Sequence, residues 1–591
     1  MKRILPNWHD KHFFFVLTLI AAFLPRFFFL TETINTIEFN TLLKGNDQIK
    51  FHRNAVTIVK TNDWKMATHA YNQAPLYTYF LAAVYKIISP DIRAARLIQT
   101  LLGIMTSIFI YLIGLRFFRA SVSFLSAFLY GMYNYAIYFE SVLLRATLIG
   151  FWNILIFYLL IRYFETRSVP FLILSGIVLG LNIMTRPNAL ILVPFLIWSL
   201  IYFLNVQNEK SAKFFFPLFA LSASILLPIL PFIARNISLG FSPLAFSAQG
   251  ATVFISGNTP DALGWGWEIS RQAHALLQQF GDNPIALGKH LLILIYQHPL
   301  DWIALQAQKL YRFFNEYEIP NNVNFYLMAT FSNALKMVLV DFRVIAILAI
   351  PGLFLSFKRT PHHRLFVCFF LGLFFSIFIF YILGRFRLPV VGLLCLSAGF
   401  TLERILTYSL NRKWLKLGTL GAILILLSFF TRMPEEPVIR SNHFFNMGLI
   451  YLKTTYFPQA EIFFRKALEK KPKYDRAAIQ LADIYTRTGH LDEAEKIILE
   501  QILQSPGNHK LAVALGDIFI KRGKIDLAYE VFQGFEALDP KSPYPYYYYG
   551  VIEKRAGNHK KALQWFKKSY QINPNLPGLA TQIEKISSDQ K

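Results

Sequence analysis

Cysteine is nearly absent: the 591 residues include two, Cys368 and Cys395, both inside apolar runs. This excludes a disulfide framework and a cysteine zinc site, and leaves the redox compartment open. Charge is also scarce, at 16% of residues, where a soluble domain carries about a quarter. Acids are fewer than bases, 35 against 60, giving a formal net charge of +25. In a soluble protein that excess would suggest nucleic acid. Here much of it sits in short loops between apolar runs, so membrane topology explains it better. The Gly-rich stretch GNTPDALGWG (257–266) lacks the strand–turn–helix context of a nucleotide fold. His52 and His69 are far apart and no third ligand motif accompanies them, which argues against a histidine metal site.

Apolar residues are abundant. Hydrophobic side chains make up 54% of the chain, with 58 Phe. Mean hydropathy is +0.38, although the residues after 432 are polar. The first part must therefore be far more apolar than the mean, as in a polytopic membrane protein. Apolar runs fall at 12–30, 97–115, 121–139, 142–161, 170–185, 188–205, 214–233, 335–357, 365–383, 388–407 and 416–432. The first follows a basic start (Lys2, Arg3, Lys11) and has no small-residue cleavage site, so it reads as an uncleaved span. The stretch 75–88 is short, starts at Pro75 and ends at Ser89-Pro90, which suits an interfacial helix.

Loop charge tests that reading. If 75–88 does not cross and the N-terminus is cytoplasmic, the cytoplasmic loops hold Arg116/Arg119, Arg162/Arg167, Lys210/Lys213, Lys358/Arg359/Arg364 and Arg404/Arg412/Lys413/Lys416. All are basic, as the positive-inside rule requires. Asp47, Glu140, the loop 234–334, Arg385/Arg387 and everything after 432 then share the extracytoplasmic side. The expected fold is an all-α transmembrane bundle of about eleven spans over 1–432, with outer loops 31–96 and 234–334. A linker (433–440), a repeat domain (441–576) and a tail (577–591) follow.

The repeat domain shows itself through a period of 34 residues. Ala460, Ala494, Ala528 and Ala562 form one series, and Pro472, Pro506, Pro540 and Pro574 a second. Gly448, Ala482, Gly516 and Gly550 form a third, and Gly489, Gly523 and Gly557 a fourth. Phe464, Ile498, Phe532 and Phe566 are the matching fillers. This pattern resembles four tetratricopeptide repeats, which stack into an α-solenoid with a concave binding face. YPYYYYG (544–550) reads either as a ligand platform or as the packing positions of the fourth repeat.

Residues 46–80, NDQIKFHRNAVTIVKTNDWKMATHAYNQAPLYTYF, form an outer loop with an acid near the bilayer. Asp47 is followed by Phe51 and Ala55 at helical spacing, then Asn62-Asp63-Trp64, then Pro75-Leu76-Tyr77. RLIQTLLG (96–103), MTRPNALIL (184–192), ISGNTPDALGWG (255–266) and GRFRLPVVG (384–392) come later in order. The set resembles the GT-C glycosyltransferases, in the branch of the dolichyl-phosphate-mannose protein mannosyltransferases and the bacterial aminoarabinose lipid A transferases. Phe51 stands where that branch usually has tyrosine.

The resemblance implies transfer of a sugar from a polyprenyl-phosphate donor to an acceptor at the outer face of a bacterial inner membrane. The acceptor would be protein, lipid or glycan, with the repeats binding acceptor or a protein partner. It also implies roles for residues. Asp47 would be the base, since a hydroxyl acceptor needs one; its alternative is a loop acid or helix N-cap. Glu140 would be a second catalytic acid, or an interfacial partner of Arg145. Arg385 and Arg387 would bind the donor phosphate, or contact lipid headgroups. His52, Asp63, Tyr77 and Arg186 would support them, Asp63 more readily as a turn residue. No cofactor is certain, and a divalent metal is compatible with the site. Two alternatives remain: a polymerase or ligase of lipid-linked oligosaccharides, and a non-enzymatic membrane-anchored repeat scaffold. The early acidic loop argues against the first, and acids and arginines gathered on one face argue against the second. A transporter would place acids at mid-membrane, and no such spread is present.

Overall fold

The computed structural model describes residues 8–66, 73–209, 212–243, 250–266, 268–321, 323–337, 340–357, 360–433, 439–505 and 508–589. It divides into two compact units, Met1–Val438 and Ile439–Lys591. His69, Pro506 and most of the expected linker lie outside the described residues. The described elements are helical, and the β pairing among them consists of isolated bridges.

Among the described residues, six helices of the first unit are long and apolar enough to cross a membrane: Asp10–Thr33, Ile92–Gly114, Ala146–Thr166, Pro187–Val206, Pro361–Phe378 and Gly384–Leu410. A seventh is the pair Lys213–Leu226 and Leu230–Ser238, bent by 45°. Pro228 stands in the break, where its missing N–H and fixed φ stop the ladder. Ala120–Gly131, Val169–Thr185, Phe342–Leu355 and Trp414–Phe430 are shorter apolar helices. Each of the eleven apolar runs thus contains one of these helices or the bent pair.

Two of these runs are shorter than the sequence suggests. In 121–139 the helix ends at Gly131, whose carbonyl accepts from Arg26 Nη1 at 2.8 Å. Tyr133 then bridges to Val340, and the rest of the run is the short buried helix Asn134–Glu140. In 335–357 the long helix starts only at Phe342, because Asp341 caps it by accepting from the Val344 N–H.

Ion pairs show which loops share an end of the bundle. Arg116 meets Glu165 at 3.1 Å, Arg119 meets Glu403 at 2.9 Å, and Arg167 meets Glu209 at 3.5 Å. These are the loops that the charge argument groups together. The opposite end carries Asp47 and Arg385, 3.5 Å apart. Helix Leu76–Ile87 has 12 residues, about 18 Å at 1.5 Å per residue, too short to span. It packs against helix Asp47–Thr61 through buried Tyr77, Leu81 and Tyr85. Tyr311 and Glu316 bind the backbone of residues 431–433, so the chain leaves the bundle at the end that carries Asp47.

The second unit pairs helices in register: Ser441–Lys453 with Phe457–Lys470, Asp475–Thr488 with Leu491–Gln504, His509–Lys521 with Ile525–Leu538, and Tyr544–Arg555 with His559–Ile572. The small-residue series allows close approach: Gly448, Gly516 and Gly550 each lie directly against Phe464, Phe532 and Phe566. Gly489, Gly523 and Gly557 take left-handed φ of 86°, 74° and 78° to turn the chain. The segment expected as a tail forms helix Leu579–Asp589, which covers Phe566 with Leu579 and Ile586. Tyr546 and Tyr549 are buried against Trp565, so these tyrosines are packing positions.

Candidate active site

Helix Asp47–Thr61 starts with Asn46 as its cap, the side chain accepting from the Gln48 N–H. Asp47, the first helical residue, is therefore not the cap. Its Oδ1 accepts from Gln73 Nε2 at 2.9 Å and its Oδ2 faces Arg385 Nη1 at 3.5 Å. The side chains are 22% and 16% exposed, so the pair is sheltered yet open to a ligand. The buried stripe of the helix, Gln48, Phe51, Ala55 and Ile58, fixes its orientation. Gln48 Oε1 accepts from the Leu143 N–H, and the Phe51 ring stands edge-on to Tyr77 at 4.9 Å.

Two more arginines converge here. Arg145, at the start of helix Ala146–Thr166, lies 5.6 Å over Phe51 and donates to the Thr185 carbonyl at 3.3 Å. Arg186, where helix Val169–Thr185 ends, stacks on Phe386 at 3.9 Å. Arg145 has Arg385, Asp47 and Tyr77 as electrostatic neighbours, and Arg186 has Arg145, Arg385 and Tyr381. Among the described residues, neither Arg145 nor Arg186 forms an ion pair within 4.0 Å, and Arg385 Nε and Gln73 Oε1 are buried without hydrogen-bond partners. Three guanidinium groups thus gather beside one carboxylate: Arg385 faces Asp47, Arg145 interacts with both, and Arg186 stands next to the two other arginines. Like charges at such proximity repel unless an anion neutralises them.

The loop motif 255–266 shapes the approach to Arg385. Ile382 N–H donates to the Gly264 carbonyl at 2.9 Å and Gly266 N–H to the Ile382 carbonyl at 3.1 Å. Asn258 Nδ2 binds the Ile379 carbonyl at 2.7 Å. These bonds hold residues 379–384, directly before Arg385.

The structure sends the other expected site residues elsewhere. Arg387 is fully buried and pairs with Glu318 at 2.7 Å. It also donates to the carbonyls of Asn315 and Tyr317 and lies over Phe342 at 3.9 Å. Two residues along a helix are about 200° apart, so Arg385 and Arg387 leave opposite faces. Glu140 is 1% exposed and pairs with Arg26, not Arg145, at 2.7 Å. Gly103 leaves the room it occupies. Both are anchoring pairs inside the bundle, apart from the arginine cluster.

His52 hydrogen-bonds Tyr85 at 2.8 Å, and burial holds its pKa below the usual value. Asp63 caps a turn by accepting from the Lys65 N–H at 3.0 Å. Tyr77 donates to Gln99 at 2.7 Å and braces the site from beneath. Among the described residues, no three His, Cys, Asp or Glu side chains converge as metal ligands. Arg145 was missed as a candidate site residue by sequence reasoning. Its signal is an arginine at the Asp47 end of an apolar helix, the same signal that marks Arg385.

Comparisons agree with this architecture. Residues 72–234 match the family described as dolichyl-phosphate-mannose-protein mannosyltransferase, and residues 457–515 and 513–577 match tetratricopeptide repeat families. No curated protein matches. Similar solved structures include pilF of Pseudomonas aeruginosa, at 20% identity over 25% of this chain and 68% of that one, with a TM-score of 0.23. A thermophilic tetratricopeptide protein of Thermus thermophilus, TTC0263, is 15% identical over 25% and 82%, with a TM-score of 0.23. MamA of Desulfovibrio magneticus is 18% identical over 23% and 77%, with a TM-score of 0.21. The chain thus joins a membrane domain, in which residues 72–234 match the dolichyl-phosphate-mannose-protein mannosyltransferase family, to C-terminal tetratricopeptide repeats.

Proposed function

We propose that this membrane glycosyltransferase moves a sugar from a polyprenyl-phosphate donor to an acceptor on the extracytoplasmic side. The observation that carries the reading is the cluster of Arg145, Arg186 and Arg385, two of which, Arg145 and Arg385, neighbour Asp47. A phosphate monoanion or dianion is the ligand such a cluster suits, because guanidinium groups pair with its oxygens and are always charged.

Asp47 accepts the proton of the acceptor's hydroxyl or amine. The acceptor's lone pair forms the new bond to the anomeric carbon. The bond from that carbon to the phosphate oxygen breaks, and the electron pair leaves with the lipid phosphate. The three arginines offset the charge that builds on the departing oxygen, which is where preorganised cations lower a barrier most. Tyr77, Phe51 and Gln73 position these groups.

Loop charge supports an extracytoplasmic site. Loop charge likewise supports the repeats on that side of the membrane, where they would bind acceptor or a protein partner. In this reading Arg387 and Glu140 hold the bundle together and do not touch donor.

Binding of polyprenyl phosphate to the purified protein tests the phosphate site apart from turnover. Arg145→Ala, Arg186→Ala and Arg385→Ala are each expected to weaken binding, while a chain deleted for residues 441–591 binds normally. Unchanged binding in all three variants would remove the cluster from the donor site.

A further inference from the structure

In the long loop 234–334, helices Pro284–Gln297 and Pro299–Phe314 follow one another, joined through His298. The first helix is apolar on two faces. Leu287 and Leu291 point inward and pack with Ile255, Ala273 and Leu276. On the other face Ile285, Leu292 and Tyr296 are 83%, 68% and 87% exposed. Lys289 falls on the same stripe and is exposed. The second helix continues it with Leu300, Ile303 and Leu310 at 78%, 58% and 43% exposure. Ala307 fills the gap, so the spacing is three, four and three residues, one face of a helix. Seven large exposed side chains, with Ile293, make a patch beyond what a water-facing surface carries.

The C-terminal end of the second helix shows what adjoins it. Phe313 packs on Phe374 at 5.0 Å, Lys309 lies over Phe378 at 5.1 Å, and Tyr311 packs on Phe430 at 5.5 Å. Those partners sit at the ends of the apolar helices Pro361–Phe378 and Trp414–Phe430. Beside them Phe375, Phe429 and Phe430 are themselves 45%, 70% and 45% exposed, as side chains facing lipid are. The stripe of the second helix therefore starts beside the apolar rim of the membrane bundle.

We propose that this helix pair is an in-plane membrane anchor, its outward stripes set among the acyl chains of the leaflet bordering the arginine site. Its helices are too short and too polar at their ends to cross. His298 and Asp301, at the junction, mark the polar rim where headgroups lie, and Lys289, within the first stripe, is long enough to bring its ammonium to that rim. Lys309 turns inward and is fully buried, bonded to Asn258 Oδ1 at 3.2 Å and the Gly257 carbonyl at 3.4 Å. It locks the second helix to the 255–266 motif. The proposal does not depend on which sugar is moved.

The test uses the full chain in bilayers, with Tyr296→Cys, Ile303→Cys and, as a water-facing control, Gln278→Cys, each carrying an environment-sensitive fluorophore. Brominated acyl chains are expected to quench positions 296 and 303 several-fold more than 278, and iodide to quench 278 far more than the other two. Equal iodide quenching at all three positions overturns the proposal. Protection from both quenchers also overturns it, since another protein surface then covers the face. Elution of each variant as the wild type does excludes misfolding.

Discussion

Arg385 Nη1 faces Asp47 Oδ2 at 3.5 Å, joining residues 338 positions apart in the chain. Two residues further on, Arg387 turns away and is buried on Glu318. The two arginines of GRFR thus have different fates, and their variants separate them.

Arg387→Ala leaves Glu318 buried without its cation, a change that costs about 3–5 kcal/mol in comparable sites. A large drop in the melting temperature of the purified protein is expected. Arg385→Ala is expected to keep the wild-type melting temperature and to lose donor use, with Arg385→Lys restoring part of it because the planar fork is lost. Equal melting losses in both would contradict the division of roles.

In the repeats, Gly516→Ala and Gly534→Ala are expected to act in opposite directions. A Cβ at 516 collides with the Phe532 ring, whereas at 534 it meets nothing within 4 Å. Overpacking costs about 1–3 kcal/mol, and an unobstructed Gly→Ala change in a helix gains about 0.5–1 kcal/mol. Denaturant unfolding of residues 439–591 measures both.

His443 accepts from the Arg440 N–H at 3.1 Å, and burial, then the Arg440 charge, lowers its pKa to about 4. The unfolded chain binds this proton near pH 6.5. The stability it contributes is therefore complete above about pH 6.5 and is lost as pH falls toward 4. His443→Gln is expected to flatten that part of the melting-temperature profile of residues 439–591. An unchanged slope would show that the ring is not held neutral.

Lys524→Cys, on the exposed surface of the third repeat, is expected to react with a membrane-impermeant thiol reagent added outside intact cells, or spheroplasts where an outer membrane intervenes. Labelling only after the inner membrane is opened would place the repeats in the cytoplasm and reverse the topology.

Much of this architecture is legible in the sequence because it repeats or alternates. Eleven apolar runs and a 34-residue period report burial directly, and loop arginines mark loops that share an end of the bundle. Asp47 and Arg385 are legible as charges at the ends of apolar segments. What is not legible is pairing across long separations. Nothing near Arg387 announces Glu318, 69 positions earlier, and nothing near Glu140 announces Arg26, 114 positions earlier. Arg145 was hidden by a local explanation, since Glu140 five residues before it offered a partner. The break at Gly131 follows from the Arg26 side chain, which hydropathy does not register.

The most direct test is consumption of polyprenyl-phosphate-linked sugars by the purified full chain in bilayers, followed as release of polyprenyl phosphate, for wild type and Asp47→Asn. The substitution keeps the side chain's size and its hydrogen bond with Gln73 while removing the charge. With a donor that the wild type consumes, Asp47→Asn is expected to be slower by about a hundredfold or more, with unchanged binding of polyprenyl phosphate. Near-wild-type release by Asp47→Asn would contradict Asp47 as the base, and no release by the wild type from any such donor would contradict the proposed reaction.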